Sequence, residues 1–596
     1  MTKLFVIVML AAMFASCYED KGNYNYDKVM TFSVPNMNTS IKNRSAILHE
    51  LYTAYPPVTF TNWTNPEDTL RLKYVWVRSG ANNTIDTLCE GRIFQWTPDV
   101  AASTVGITLL VRDTLTGQVA VGSLQMSVSS PFSQGWALVH DYATGADMSF
   151  IKPYSKQVHH PESDDPDEML TVRAYDVYPN QLSASNPGVT FGSPKKVRWY
   201  ATSNASKLML INDNPVNIDG STWKAEVELA EEITGGTPEA AIEDMYFTKN
   251  TRMLLDKNGN VYLNQEWSSF YSSKFVGMPL LDLETGENTR IAEFSNPYDA
   301  FYGNFAHAHD AVNKRFLFIA TNYYEITAWY PSFDRATVES MSGAFETEED
   351  KARYIDILNY DGYNFLFYGC RNGDNNYVKL SANSGGGTKS YFAFFFEKDG
   401  EIYIQYMLAN GISYGNVEGY NDYVYTPNWA HIQVVKWTDF EGVTATPTND
   451  MLTPETPRAF ICGKSQSNSG QARMDYMYFA KNDVVYCVDF ETNRLYEYYR
   501  IPTGANVKLL ELNFHDTELG VYSDDNTFRT LRCSADYLTN PDLNDKKLIK
   551  EFTNMSNVKQ ILYLRANQSD FTMPASKVTD RIVWTENNAY NLDDIE

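Results

Sequence analysis

"VDFETNRLYEYYR" (488–500) and "LDLETGENTRIAEF" (281–294) read as one plan written twice. Each begins with a short apolar run, stops at a Glu-Thr turn, and resumes in a second run rich in Tyr, Leu or Ile. Side chains of a strand alternate between its two faces, so such runs on either side of a tight polar turn predict an antiparallel hairpin. Working outward, "LLDKNGNVYLNQ" (254–265), "NYDGYNFLFYG" (359–369) and "FEKDGEIYIQYML" (396–408) follow the same plan, and "GWALVHDYATGADMSFI" (135–151) opens the series. Hairpin after hairpin with no strand–helix–strand rhythm predicts an all-β chain whose large domain, residues 131–596, is β-propeller-like. Insertions such as 331–353 and 373–389 blur the period. The blade number therefore stays open at roughly six to eight, and a row of β-sandwiches would write similar hairpins. "TPEA" (237–240) and "TEED" (347–350) look like capped starts of short helices inside such insertions.

Residues 31–130 have a texture of their own. "LKYVWVRSG" (72–80) sets Tyr74 and Trp76 on one face of a strand, and "VGITLLVRDTLTGQVAVGSLQMSVSS" (105–130) reads as a closing hairpin around Asp113–Gly117. A strand-borne Trp and a closing hairpin in about a hundred residues predict an immunoglobulin-like sandwich.

Composition bounds the partners. The chain has 596 residues, 43% apolar and 14% aromatic, so a full core can be buried; its formal charge is −25. Such a field repels nucleic acid, and suits a neutral or cationic ligand better than a polyanion. The six cysteines are widely spaced without a Cys-x-x-Cys, which supports neither a zinc ribbon nor a disulfide framework.

The first residues give an address. "MTKLFVIVMLAAMFAS" (1–16) has one positive charge, an apolar run and small residues at its end, the layout of a secretory signal too short to span a bilayer. Cys17 follows at once, where a lipoprotein signal carries the cysteine that is acylated, and 17–30 then reads as a polar tether. Several acyl chains would make the anchor lasting.

"SCYEDKGNYNYD", followed by "YVWVRSG" and "GITLLVRDTLTGQVAVGSLQMSV", resembles the PKD-like family of surface lipoproteins in Bacteroides-like bacteria. The resemblance implies a PKD/Ig-like β-sandwich over 31–130 and an outer-membrane lipoprotein facing the cell exterior, often beside a SusC/SusD-type, TonB-dependent importer. It implies no established enzymatic activity. The chain departs from the family at "VRSG" after Trp76, where PKD domains often carry an Asp-Phe-Gly-Asp-Gly turn, so no role of that turn transfers. Asp-Thr-Leu at 68–70, 86–88 and 113–115 resembles an O-glycosylation site of such bacteria.

Candidate sites are sparse. "HHPESDDPDE" (159–168) gathers ligating side chains, but its spacing matches no EF-hand and it reads as a solvated acidic loop. "NFAHAHD" (304–310) puts His307 and His309 on one strand face, a spacing suited to a metal or an anionic ligand, though a polar strand at a blade edge is the plainer reading. Aromatic clusters in loop-like settings offer Trp267, Tyr302, Trp329 and Trp429 as flat faces for stacking a sugar ring or an aromatic ligand. No Gly-x-Ser-x-Gly elbow or His-Glu-x-x-His is present, and "SDDNTF" (523–528) only approximates a sialidase Asp-box. No catalytic residue, metal or cofactor is named by these patterns. The expectation is an accessory binding protein that captures a small-molecule, glycan or peptide ligand for an outer-membrane importer and its SusD-type lipoprotein. A surface hydrolase or a purely structural subunit of an importer complex are the alternatives.

Overall fold

The computed structural model describes most of residues 30–564. Segments 160–168, 266–274, 279–289, 295–304, 373–389, 417–422, 465–471 and several shorter ones lie outside the description, as do 1–29 and 565–596; in some strands only the backbone is described. The chain divides after Ser130 into two compact units.

The first unit is built on a five-stranded sheet in the spatial order Ser45–Ile47, Val119–Ser129, Ala102–Asp113, Leu72–Ser79, Ile85–Glu90. Two small antiparallel pairs, Thr31–Ser33 with Thr59–Thr61 and Tyr52–Ala54 with Phe94–Trp96, supply a second layer. The alternation expected of 72–80 is realised, with Leu72, Tyr74 and Trp76 buried in a core shared with Phe32, Tyr52 and Leu109. Trp76 stacks on Phe94 at 4.5 Å and donates its indole N–H to the Gly91 carbonyl (3.1 Å). The 105–130 hairpin is closed by Asp113, which accepts from the Leu115 N–H (2.8 Å) and the Thr116 hydroxyl (2.8 Å) and pairs with Arg71 (3.0 Å). Thr114 donates its hydroxyl to the Arg71 carbonyl (2.8 Å), tying this turn to its neighbour.

Among the described residues the second unit contains seven sheets of four antiparallel strands, and one of them carries a short extra strand, Glu441–Gly442, at its outer edge. Six of them run in chain order from an innermost strand outward. The innermost strands are Lys196–Ala201, Ile242–Phe247, Ile291–Phe294, Asn364–Asn372, Arg458–Lys464 and Val507–Leu512, which open blades two to seven. Blade one breaks the pattern: Gly135–Tyr142, Gly145–His159 and Met169–Tyr178 are its outer three strands, and the innermost is Val558–Leu564 from the far end of the chain. The innermost strands of blades one and two, and of six and seven, approach each other, as do those of seven and one. A ring of four-stranded sheets closed by its own C-terminal strand is a seven-bladed propeller-like fold, and closure leaves no long open edge.

Local turn chemistry explains several hairpins. Asp399 and Gly400 have φ of 55° and 81° between paired Lys398 and Glu401, as a two-residue hairpin turn needs. Asp256 closes the 254–265 hairpin by accepting from the N–H groups of Asn258 (2.8 Å) and Asn260 (2.9 Å). "TEED" starts a helix, Glu348–Arg353: Thr347 Oγ1 accepts from Asp350 N–H (3.0 Å), and the Asp350 carboxylate accepts from Thr347 N–H (3.1 Å). "TPEA" gains no helix among the described residues; the nearest is Leu229–Glu232.

One expectation needs correction. "VDFETNRLYEYYR" is the expected hairpin, between the third and outermost strands of blade six. Of "LDLETGENTRIAEF", residues 281–289 lie outside the described residues, and Ile291–Phe294 is the innermost strand of blade four. "NYDGYNFLFYG" leads into an innermost strand rather than forming a hairpin. Turn composition reports that a chain reverses, not which neighbour the next strand pairs with; that is decided by packing across blades.

Closure is reinforced by side chains. Gln560 accepts from Val197 N–H (2.7 Å) and donates to Val197 C=O (3.0 Å), so its amide imitates one rung of a sheet between blades one and two. Gln405 does the same to Ile355 inside the molecule (2.8 and 2.9 Å). Blades seven and one share a core in which Trp136 meets Phe528 and Tyr563 edge-on. His140 is buried, with Nδ1 2.7 Å from the Ser556 carbonyl and Nε2 2.9 Å from Ser149 Oγ. Burial pushes its imidazole below the ordinary value, against the opposing pull of the Ser556 carbonyl and Asp147.

Gly520 lies under the Trp136 ring, where an added Cβ would come within 2.7 Å of it. Gly520→Ala should destabilise the protein by about 1–3 kcal/mol, read as a lower midpoint in urea unfolding; an unchanged midpoint would show that the two blades do not press together here. A histidine whose folded pKa is depressed takes up protons on unfolding. Its stabilising contribution is therefore complete above the ordinary value of 6.5 and is lost as pH falls below it. The melting temperature should decline below that pH, and His140→Gln should flatten this part of the curve.

Candidate functional site

Five blades repeat an irregularity that no local motif announces. Near the start of the innermost strand, one residue is skipped in the pairing with the second strand: Glu243, Ala292, Leu366, Lys508 and Lys559. A bulge of this kind re-aims the side chains around it and is common next to functional sites. Immediately after it come Asp244, Glu293, Phe367, Leu509 and Gln560. Contacts between blades set the starts of the innermost strands side by side: Gln560 on Val197, Arg198 on Asp244, and Arg458 on Phe367. The bulges therefore collect at one mouth of the propeller axis.

Charged groups meet there. Asp244 of blade three accepts from Lys196 (2.6 Å) and, in a two-pronged contact, from Arg198 (2.7 and 2.8 Å), both of blade two. Burial alone would raise the Asp244 carboxyl, but the two cations outweigh it and hold its pKa at about 2. Lys196 keeps 35% of its side-chain surface open. Burial and the adjacent Arg198 nevertheless push its ammonium below the ordinary lysine range, opposed by Asp244 and Glu293.

Arg458 opens blade six. Its guanidinium donates to the carbonyls of Pro454 (2.9 Å) and Thr456 (3.0 Å) and lies 4.0 Å over the Phe367 ring of blade five. Burial draws its pKa down to about 10, opposed by Glu293 and Glu455. Glu293 of blade four opposes the downward shift of both Lys196 and Arg458. Its one ion-pair contact among the described residues is His309 Nδ1 at 3.6 Å.

Of the residues singled out from sequence, His309 is placed most clearly. It is buried in the contact between blades four and five, with Nε2 2.7 Å from the Tyr360 hydroxyl and its ring against Phe316 and Phe365. Burial, then Asp310 and Glu293, push the Tyr360 hydroxyl up to about 12. His309 is therefore a packed core group that reaches the mouth only through Glu293. The backbone of His307 pairs with Phe318, which pairs in turn with Trp329, and Trp429 pairs with Ala409; the side chains of His307, Trp329 and Trp429 lie outside the description. Cys17, Trp267 and Tyr302 lie outside the described residues, as does the 160–168 segment. "SDDNTF" forms the turn between the second and third strands of blade seven, where Asp525 accepts from Ser523 Oγ (2.7 Å) and from the buried Arg529 (3.0 Å), a structural tie. Among the described residues no group of three His, Cys, Asp or Glu side chains could hold a metal ion.

Lys196, Asp244, Glu293 and Arg458 were not visible in the sequence as a site. Each stands alone in its own strand, and only the placement of the innermost strands beside one another brings them together.

Residues 17–182 match the model of the PKD-like family. The matched stretch runs from the cysteine through the first unit and the three outer strands of blade one. No curated protein matches the chain. Among solved structures, a quinonprotein alcohol dehydrogenase-like protein from Bacteroides thetaiotaomicron is similar at 12% identity, with 88% of this chain and 97% of that one covered and a TM-score of 0.32. AztD from Citrobacter koseri is similar at 9% identity over 83% of this chain and 97% of that one, with a TM-score of 0.32. The WD40 domain of Toxoplasma gondii coronin is similar at 7% identity over 74% and 85%, with a TM-score of 0.30. Likenesses this distant say nothing of chemistry, and the propeller-like architecture rests on the strand order itself.

Proposed function

We propose that this chain is a lipid-anchored surface protein of the outer membrane, facing the cell exterior, whose propeller captures a nutrient at the mouth of its axis for a TonB-dependent importer and its SusD-type lipoprotein partner. The observation that carries the capture reading is that Glu293 and Arg458 flank the innermost strand of blade five, Glu293 through His309, which packs on Phe365 (4.3 Å), and Arg458 over Phe367 (4.0 Å), with no ion pair between the two. Opposite charges held near one another but apart are poised for a third party. The anchor is supported by the apolar run ending at Cys17 and by the family match beginning at residue 17. The first unit then serves as a spacer between membrane and propeller.

Two measurements test this. Cys17→Ala should move the full-length protein from the membrane to the soluble fraction; a variant that stays in the membrane sinks the anchor. Purified protein should retain members of a glycan and peptide library unaltered by mass spectrometry, with binding reduced in an Arg458→Gln/Glu293→Gln double variant. Cleavage of the retained members would favour the hydrolase alternative instead.

A further inference from the structure

Taking the mouth as the capture site, on which this inference rests, its charges specify more than a place. Three cations at this end are matched to carboxylates, Lys195 to Glu243 (3.1 Å), Lys508 to Asp524 (3.5 Å) and Lys559 to Asp141 (3.9 Å), and Arg290 is held by the Asn260 side chain (2.8 Å). Asp244 is shared between Lys196 and Arg198. Arg458 differs. Among the described residues its hydrogen bonds go to two neutral carbonyls and its flat face to Phe367, so no carboxylate touches its guanidinium. Leaving a half-buried guanidinium without a carboxylate is costly unless something else completes it. Two of its N–H groups are held by the backbone and the ring below fixes its plane, which orients the remaining donors.

Glu293 is the complementary case. Its side chain is 42% exposed, and its only charged or chargeable contact among the described residues is His309 at 3.6 Å. His309 is engaged by Tyr360 on its other nitrogen. The carboxylate is therefore open to the mouth and unmatched by any fixed cation in contact.

We propose that the mouth binds a zwitterionic solute of the amino-acid or short-peptide class, its carboxylate held by Arg458 and its ammonium by Glu293. A guanidinium offers a carboxylate two parallel hydrogen bonds. An ammonium needs only an acceptor with room around it, which a partly exposed glutamate on a bulged strand provides. The ligand is neutral overall, so the strongly negative chain does not repel it.

The test uses the full-length protein and a mixed pool of free di- and tripeptides, with the same pool N-acetylated and, separately, C-amidated. Calorimetric titration should show binding of the free pool and a loss of roughly 10- to 100-fold for either blocked pool. Arg458→Gln should weaken binding of the free and acetylated pools alike. Glu293→Gln should weaken the free pool and leave the acetylated pool unchanged. Melting curves of both variants establish that each is folded, and because the substitutions lie on different blades, a folding defect in one leaves the other informative. Equal binding of free and blocked peptides overturns the proposal, as does peptide binding indifferent to both substitutions. If peptides fail to bind while a neutral glycan binds and is weakened by the same substitutions, the ligand class is wrong and the mouth remains the capture site. If no solute of any class responds to the two substitutions, both readings fall.

Discussion

The pairing of Val558–Leu564 with Gly135–Tyr142 is the constraint on which the second unit depends. Each blade presents two apolar faces and buries them only against neighbours, so an open row of seven would leave the outer faces of the first and last exposed to water. With the C-terminal strand in place, Trp136 meets Phe528 and the apolar ring is continuous. The devices at the seam are polar and specific. The Gln560 amide reproduces a backbone rung, and His140 joins the second strand of blade one to the Ser556 carbonyl just before the closing strand. Both groups are satisfied within the molecule, which is what makes a buried polar contact favour one register over its alternatives.

Closure also makes a shared mouth. A single blade cannot assemble Lys196, Asp244, Glu293 and Arg458, since each comes from a different innermost strand. The repeated bulge gives the mouth variety without disturbing the blades. A residue is skipped near the start of the strand, pairing resumes beyond it, and the hydrophobic alternation that holds neighbouring blades continues. Chemistry of this kind belongs to the site and not to the architecture, since propellers serve many unrelated ends.

Much of the local structure was legible because it depends on short-range physics. Thr347 and Asp350 satisfy each other's backbone groups within one turn of chain, so "TEED" identifies its helix without any neighbour. Asp399–Gly400 can adopt positive φ, so the hairpin at 396–408 is written in two residues. His309 shows the opposite limit: its sequence setting suggests an open polar strand, yet the facing Phe316, Phe365 and Tyr360 come from other strands and a later loop and enclose it.

By itself the sequence determined an all-β chain, a strand-borne aromatic core near the N-terminus, polar turns such as those at Asp113 and Asp256, and a strongly acidic charge. These follow from periodicity, turn propensity and net charge, which act over a few residues or over the whole chain. Only the tertiary structure decided that "NYDGYNFLFYG" leads into an innermost strand while "VDFETNRLYEYYR" stays within one blade, that the described blades number seven, and that four solitary charged residues stand on four different innermost strands. Those are matters of which strand lies beside which across hundreds of residues, and pairing at that distance is chosen by packing and ring closure, for which no short stretch carries a signature.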